Sequence, residues 1–331
     1  MKPSNLIKAL RLAFLNRFAV LLVGQPGVGK SEIVSQTACE LGMDLVISHP
    51  VVSDPTDYKG MPFVVEGRAE FLPFGELRRI VEATNPTVFF LDDLGQASPA
   101  VQAAAMHLLL ARCVGGTRIS DQVTFVAATN RRQDKAGVQG ILEPVKSRFV
   151  SILHLEPDVE DWCAWAVRNN MPSELISFIR FKPDMLAAFT PSRDMVNSPS
   201  PRTVEAVGRL LNAGIPEELS FEMIAGAAGS AFATEFTAFL RIFDRLPDVE
   251  SILTSPRSAP VPEEPSVLYA LCGAISVRAN EENFPGIITY ADRLHPEFSV
   301  LLVRECVSRR NELADTNSFS RWAAEHSEVL V

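Results

Sequence analysis

Cysteine is scarce in this chain: Cys39, Cys113, Cys163, Cys272 and Cys306 are odd in number, far apart, and form no C-x-x-C pair. That excludes a disulfide scaffold and a thiolate metal knuckle, and suits reduced thiols in a cytoplasmic protein. Histidine is no more abundant. His49, His107, His154, His295 and His326 contain no H-E-x-x-H spacing, which argues against a transition metal held by the protein. An excess of positive charge is missing too: the formal net charge is −9, which argues against a broad nucleic-acid surface but leaves a local basic patch open. No apolar run reaches transmembrane length, so no membrane span is expected. Lys2 and Lys8 precede apolar residues as in a signal peptide, yet Arg11 and Arg17 interrupt the run. The apolar segment after Arg17 leads straight into a glycine-rich loop that cleavage would destroy.

What remains is a folded chain with 47% hydrophobic and 21% charged residues. Its 331 residues suffice for two or three domains, each with its own core. The loop reads Gly24-Gln25-Pro26-Gly27-Val28-Gly29-Lys30-Ser31 and matches G-x-x-x-x-G-K-[ST] at every fixed position. Glycines let backbone N–H groups wrap a triphosphate without side chains in the way. Lys30 would then meet the β- and γ-phosphates, and Ser31 would offer its hydroxyl to Mg²⁺ at the head of a helix. The flanks agree: 18–23 is an apolar strand candidate, and 32–41 reads as a helix ended by Gly42. ATP and Mg²⁺ are therefore the expected ligands, with Ser31 and Asp92 as the metal-holding residues.

Asp92 and Asp93 follow 87–91, the strongest strand signal in the chain and one expected to lie in the middle of a parallel sheet. Asp92 at the strand end is expected to hold the Mg²⁺ shell, and Asp93 to polarise the attacking water. The alternative is that both cap the helix beginning near Ser98. The strand 123–129 ends in Asn130, whose amide can orient water or touch the γ-phosphate, unless it merely caps the strand. Arg131, Arg132 and Arg148 follow; local chemistry alone reads Arg148 as a surface arginine, although in an assembly it could enter a neighbour's site.

Elsewhere a first helix carries Leu6, Leu10, Ala13 and Phe14 on one face, with Ser4 or Asn5 as its cap. Asp54-Pro55-Thr56-Asp57 reads as a capped turn rather than a metal site. Runs 61–65 and 69–72, separated by Glu66-Gly67-Arg68, read as a hairpin with a three-residue loop. Helices are expected at 75–83 and 99–112, a small loop or hairpin at 114–121, and a strand at 150–155. From Pro157 helices take over, with Pro183, Pro191, Pro199 and Pro201 punctuating a loop. Pro247, Pro256, Pro260, Pro262 and Pro265 mark 247–265 as a linker. Four helices follow, the last at 319–328 with Phe319, Trp322 and Ala323 on one face, read as core packing with a partner-docking face as the alternative.

The order of the glycine loop, Asp92-Asp93, Asn130, Arg148 and Ser200-Pro201-Arg202 resembles the AAA+ ATPases, and within them the MoxR-type branch related to dynein-like and chelatase-type ATPases. The resemblance covers about two-thirds of the chain and rests on five motifs in order. It implies an α/β P-loop NTPase fold: a parallel sheet flanked by helices, then an α-helical lid and a C-terminal helical region. The implied division is an AAA+ core at 1–156 with an insert hairpin near 61–72, a lid at 157–246, a linker at 247–265 and a helical region at 266–331. Read across, Gly24 to Ser31 is Walker A, 88–93 Walker B, Asn130 sensor 1, Arg148 the arginine finger and Arg202 the sensor-2 arginine. The resemblance implies catalytic roles for Asp93, Asn130, Arg148 and Arg202. One position departs: relatives mostly carry glutamate where this chain has Asp93, and one methylene fewer withdraws the carboxylate by about 1.5 Å, which slows positioned catalysis.

The leading expectation is a cytoplasmic, hexameric, Mg²⁺-dependent ATPase ring that remodels or chaperones a partner protein. From the resemblance, that partner carries a von Willebrand A-type domain. The alternatives are a nucleic-acid motor or clamp-loader-like ATPase, for which Arg131, Arg132 and Lys135 are the only close basic cluster in the core, and a slow nucleotide-dependent scaffold suggested by Asp93. Which of Arg131, Arg132 and Arg148 acts in trans is left open.

Overall fold

In the computed structural model, five short runs of apolar residues make one parallel sheet. The described residues are 1–134, 140–190, 194–243 and 246–326; Lys135, Pro191 and the end of the helix expected at 319–328 lie outside them. Two units are distinguished, Met1–Asp158 and Val159–Val331.

In the first unit the order is α1 (Pro3–Asn16), β1 (Val20–Gly24), α2 (Lys30–Glu40), β2 (Asp44–Ser48), α3 (Thr56–Lys59), β3 (Met61–Val65), β4 (Arg68–Leu72) and α4 (Gly75–Val81). It continues through β5 (Thr87–Leu91), α5 (Pro99–Ala111), β6 (Cys113–Val114), β7 (Thr117–Arg118), β8 (Val123–Asn130), α6 (Glu143–Lys146) and β9 (Ser151–His154). The sheet runs β2-β5-β8-β1-β9 with every neighbouring pair parallel. Side chains alternate across it, so Val20, Leu22, Val88, Phe90 and Val126 pack with Leu6, Leu10 and Phe14 of α1 and Val34 of α2. Leu21, Phe89, Leu91 and Phe125 face Leu77, Ile80, Val101 and Leu108 of α4 and α5. All five residues of β5 and all eight of β8 are buried, which is why 88–91 and 125–128 read as unbroken apolar runs rather than alternating ones.

Several local expectations change. Helix α1 starts at Pro3 with Lys2 before it and no side-chain cap, so proline at its first position replaces the Ser4 or Asn5 cap. The β3–β4 loop has two residues, not three, because Arg68 pairs with Val65. Glu66 and Gly67 both take positive φ (49° and 78°), the mirror-image turn whose twist matches a tight hairpin. Asp54 and Asp57 form a capped turn: Asp54 Oδ1 accepts from Thr56 N at 2.9 Å and Asp57 Oδ2 from Asp54 N at 2.8 Å. Ser98 caps α5 with its own hydroxyl, and that duty does not fall to Asp92 or Asp93.

The second unit is helical: α7 (Val159–Arg168), α8 (Ser173–Phe181), α9 (Pro201–Asn212), α10 (Glu217–Ala228), α11 (Ser230–Phe243), α12 (Val249–Thr254), α13 (Pro265–Arg278), α14 (Phe284–Ala291), α15 (Pro296–Arg309) and α16 (Asn317–Glu325). Phe178, Phe232, Phe236 and Phe239 cluster between α8 and α11. Arg180 of α8 forms a buried ion pair with Glu305 of α15 at 3.0 Å. The stretch 247–265 is not a free linker. It contains α12, and it buries Val249, Ile252 and Ala259 in the same core as α13, α14 and α15. Trp322 is buried in that core too, the packing role expected for its face of α16. Among the described residues, no helix is long and apolar enough to cross a membrane.

Candidate nucleotide-binding site

The site grows from the carboxyl ends of three adjacent strands, β5, β8 and β1. Parallel register sets Gly24 opposite Asn130 and Leu91 opposite Ala127, so the loop after β1, the Asp92-Asp93 turn and Asn130 emerge side by side. Gly27 and Gly29 take positive φ (73° and 98°), which a side chain would strain. At Gly24 an added Cβ would stand 3.0 Å from Val28 Cγ1 and 3.1 Å from the Leu155 carbonyl.

Lys30 and Asn130 are 7% and 8% exposed, and a buried ammonium needs acceptors. It finds the carbonyls of Gly24 and Gln25, each at 3.1 Å, and Asn130 Oδ1 at 2.7 Å. Asn130 Nδ2 donates to Asp93 Oδ1 at 3.2 Å. The amide orientation follows from chemistry, since lysine only donates and a carboxylate only accepts. Asn130 thus joins Lys30 to Asp93. Alongside, Ser31 Oγ donates to Asp92 Oδ2 at 2.6 Å, and Asp92 Oδ1 accepts from the Asp93 N–H at 3.1 Å. Asp93 occupies the left-handed region, φ 58°, which turns its carboxyl out of the strand line towards Asn130.

The residues fit a magnesium–triphosphate group. A serine hydroxyl and a carboxylate in contact form the hard-oxygen set that Mg²⁺ takes. The glycine loop, the lysine and the N–H groups of the first turn of α2 would form the anion cradle. Among the described residues, no cluster of three or more His, Cys, Asp and Glu side chains is placed to hold a metal without such a ligand.

The arginines separate. Arg131 donates through Nε and Nη2 to both oxygens of Asp134, each at 2.9 Å, and through Nη2 to Gln25 Oε1 at 3.3 Å. Arg132 and Arg148 are exposed. Arg202 belongs to the second unit, exposed in the first turn of α9, where Ser200 and Thr203 form a reciprocal cap. Of the residues singled out from sequence, Lys30, Ser31, Asp92, Asp93 and Asn130 are thus joined by hydrogen bonds, whereas Arg148 is exposed and has no hydrogen bond to that network among the described residues. Asp134 was not singled out; the Arg131-Arg132-Gln133-Asp134 spacing, an arginine three before an acid, was its only signal.

Residues 20–157 match the model of the ATPase family associated with various cellular activities (AAA). The chain carries an AAA ATPase domain. With it comes the P-loop NTPase fold of a parallel sheet flanked by helices, followed here by a helical region. The chain is 25% identical over 189 residues to Midasin from Giardia intestinalis, covering 54% of this chain and 4% of that protein. The chain therefore spans only a small fraction of that relative's length. Among solved structures it is similar to the RuvB Holliday junction branch migration motor of Thermotoga maritima, at 18% identity over 82% of this chain and 80% of that one, TM-score 0.40. A variant of the same RuvB covers 82% of this chain and 81% of that one at 18% identity and TM-score 0.43. The family match spans all of β1, β5 and β8, so the AAA domain contains every residue of the Lys30–Asn130–Asp93 and Ser31–Asp92 contacts.

Proposed function

We propose that this chain is a MoxR-type, Mg²⁺-dependent ATPase that acts in a cytoplasmic ring, a hexamer, and remodels a partner protein. The observation that carries the reading is the pair of linked contacts, Ser31 with Asp92 and Lys30 through Asn130 to Asp93. Lys30 and the loop N–H groups bind the phosphates, and Ser31 and Asp92 hold the magnesium. When bound there, magnesium would supply charge neutralisation to the triphosphate. Asp93 orients the attacking water and takes its proton, while Asn130 fixes the Asp93 carboxyl against Lys30. The shorter reach of aspartate predicts slow turnover.

Arg148 is exposed and free to enter a neighbour's site, as Arg131 is not; Arg202 would reach the γ-phosphate from the lid. The β3–β4 hairpin, with Phe63 54% and Val64 77% exposed, supports a role in passing motion to a client, for which an adaptor bearing a von Willebrand A-type domain is the candidate.

The test is ATP turnover against protein concentration for wild type and Arg148→Ala, with sizing in ATP and Mg²⁺. Specific activity should rise with assembly, and Arg148→Ala should bind ATP without turning it over. Turnover independent of both concentration and Arg148 refutes the shared-site ring. DNA-stimulated turnover with steep salt dependence would instead favour a nucleic-acid motor.

A further inference from the structure

Gln25 is 6% exposed, and among the described residues its Nε2 has no hydrogen-bond partner. A buried donor left unmet is costly, so a polar atom in that state at the edge of a ligand cradle calls for an acceptor. The orientation of the amide is not arbitrary. Arginine has donors only, so the atom facing Arg131 Nη2 at 3.3 Å must be Oε1, and the donating nitrogen is turned away from it. Arg131 is in turn held by two bonds to Asp134, whose side chain is 5% exposed. The order Asp134, Arg131, Gln25 is a chain of fixed groups ending in one unsatisfied N–H₂.

Its place in the loop selects the ligand. Gly24 stands opposite Asn130 in the sheet, so Gln25 leaves β1 beside Asn130 and Arg131, on the side where Asp93 and the Lys30 ammonium lie. The Gln25 carbonyl itself accepts from Lys30 Nζ at 3.1 Å. The inner phosphates belong to the backbone further along, at Gly27 to Ser31. We infer that the Gln25 side-chain amide contacts the terminal phosphate of a nucleoside triphosphate, and that Arg131, clamped by Asp134, is the positioning residue that aims it. Arg131 is then a cis element of its own site. The inference rests on the nucleotide-site reading above and adds a means of telling triphosphate from diphosphate.

Gln25→Glu is the decisive variant, because it is isosteric. It keeps an oxygen for Arg131, and strengthens that contact, while replacing the donating nitrogen with a negative oxygen. A merely structural glutamine would tolerate it. Calorimetric titration of the full chain with Mg²⁺ and either ADP or the slowly hydrolysed analogue ATPγS should show ATPγS affinity falling about tenfold or more and ADP affinity changing less than about twofold. Arg131→Ala should give the same selective loss, and Gln25→Ala with Arg131→Ala should be no weaker than Gln25→Ala alone. Equal loss of both nucleotides, or loss of neither, overturns the assignment while leaving the nucleotide site intact. Wild-type protein that binds neither nucleotide overturns the site reading and this inference together. Should Gln25→Ala lose its fold, Gln25→Glu carries the test.

Discussion

Gly95 separates the Asp92-Asp93 turn from β8 by the smallest margin in the site, and alanine there is the sharpest probe of how far catalysis depends on that spacing. An added Cβ would lie 2.1 Å from Thr129 Oγ1 and 3.1 Å from Thr129 Cβ, with Ile141 Cγ1 at 3.4 Å. Rotating Thr129 is a poor escape. Its β-branch fills two of three rotamer positions, its hydroxyl already donates to the Asn130 carbonyl at 3.1 Å, and the Cβ contact does not change with rotation. The turn must therefore move away from β8, and Asp93 with it, lengthening its bond to Asn130. Overpacking of this kind costs about 1–3 kcal/mol, and a displacement approaching 1 Å in a positioned group costs on the order of 100-fold in rate. We expect Gly95→Ala to lower kcat by roughly 10- to 100-fold with ADP affinity nearly unchanged, because the cradle after β1 is untouched. Adding Thr129→Ala removes the hydroxyl and should recover part of the loss. The assay is steady-state phosphate release alongside ADP titration and urea unfolding. Wild-type kcat in Gly95→Ala would refute the claim that this spacing sets the Asp93–Asn130 geometry.

In the second unit, Glu305→Ala should destabilise by about 3–5 kcal/mol, since it strands the Arg180 charge beside a carboxylate site that is 2% exposed; a urea midpoint within error of wild type refutes this. Alkaline pH should also weaken that unit. Burial pushes the Cys163 thiol up to about 12 from 9.0, and burial raises Cys272 and Cys306 as well. The unfolded chain then loses protons that the folded chain keeps, so stability is full below about pH 9 and falls as pH rises towards the folded values. The slope is at most about 1.4 kcal/mol per pH unit for each thiol. Urea midpoints from about pH 8 to about pH 11 measure it, and a flat profile refutes it.

What could be read along the chain was what neighbouring residues decide. The glycine loop needs specific residue types within eight positions, and β5 announces itself through the apolar run 88–91 followed by two acids. Sheet position follows from that composition, and with it the location of Asp92 and Asp93. The Gln25–Arg131–Asp134 chain is different in kind. Gln25 and Arg131 are 106 positions apart, and only the parallel register of β1 on β8 makes them neighbours. The Arg131–Asp134 bond is a local contact three residues apart; the register adds Gln25 to it, while Arg148 is exposed.

The proline-rich stretch 247–265 shows the converse, a local signal with two physical meanings. Proline disfavours helix interiors and stiffens extended segments, which suggests a spacer. Proline is also favoured in the first turn of a helix, where its missing N–H costs nothing. Pro265 opens α13, as Pro201 opens α9 and Pro296 opens α15. What chooses between the meanings is whether the residues between the prolines are buried. Val249, Ile252 and Ala259 are, and the backbone is pinned as well: Tyr290 Oη donates to the Pro260 carbonyl at 2.8 Å and Arg293 Nη1 to the Pro256 carbonyl at 2.6 Å. Carbonyls of a solvated spacer would have water for partners; these have side chains of α14 and of the residue pair after it. The stretch is therefore a covering strap over α13 and α14 rather than a hinge, and its prolines limit the conformations lost on folding instead of keeping two bodies apart.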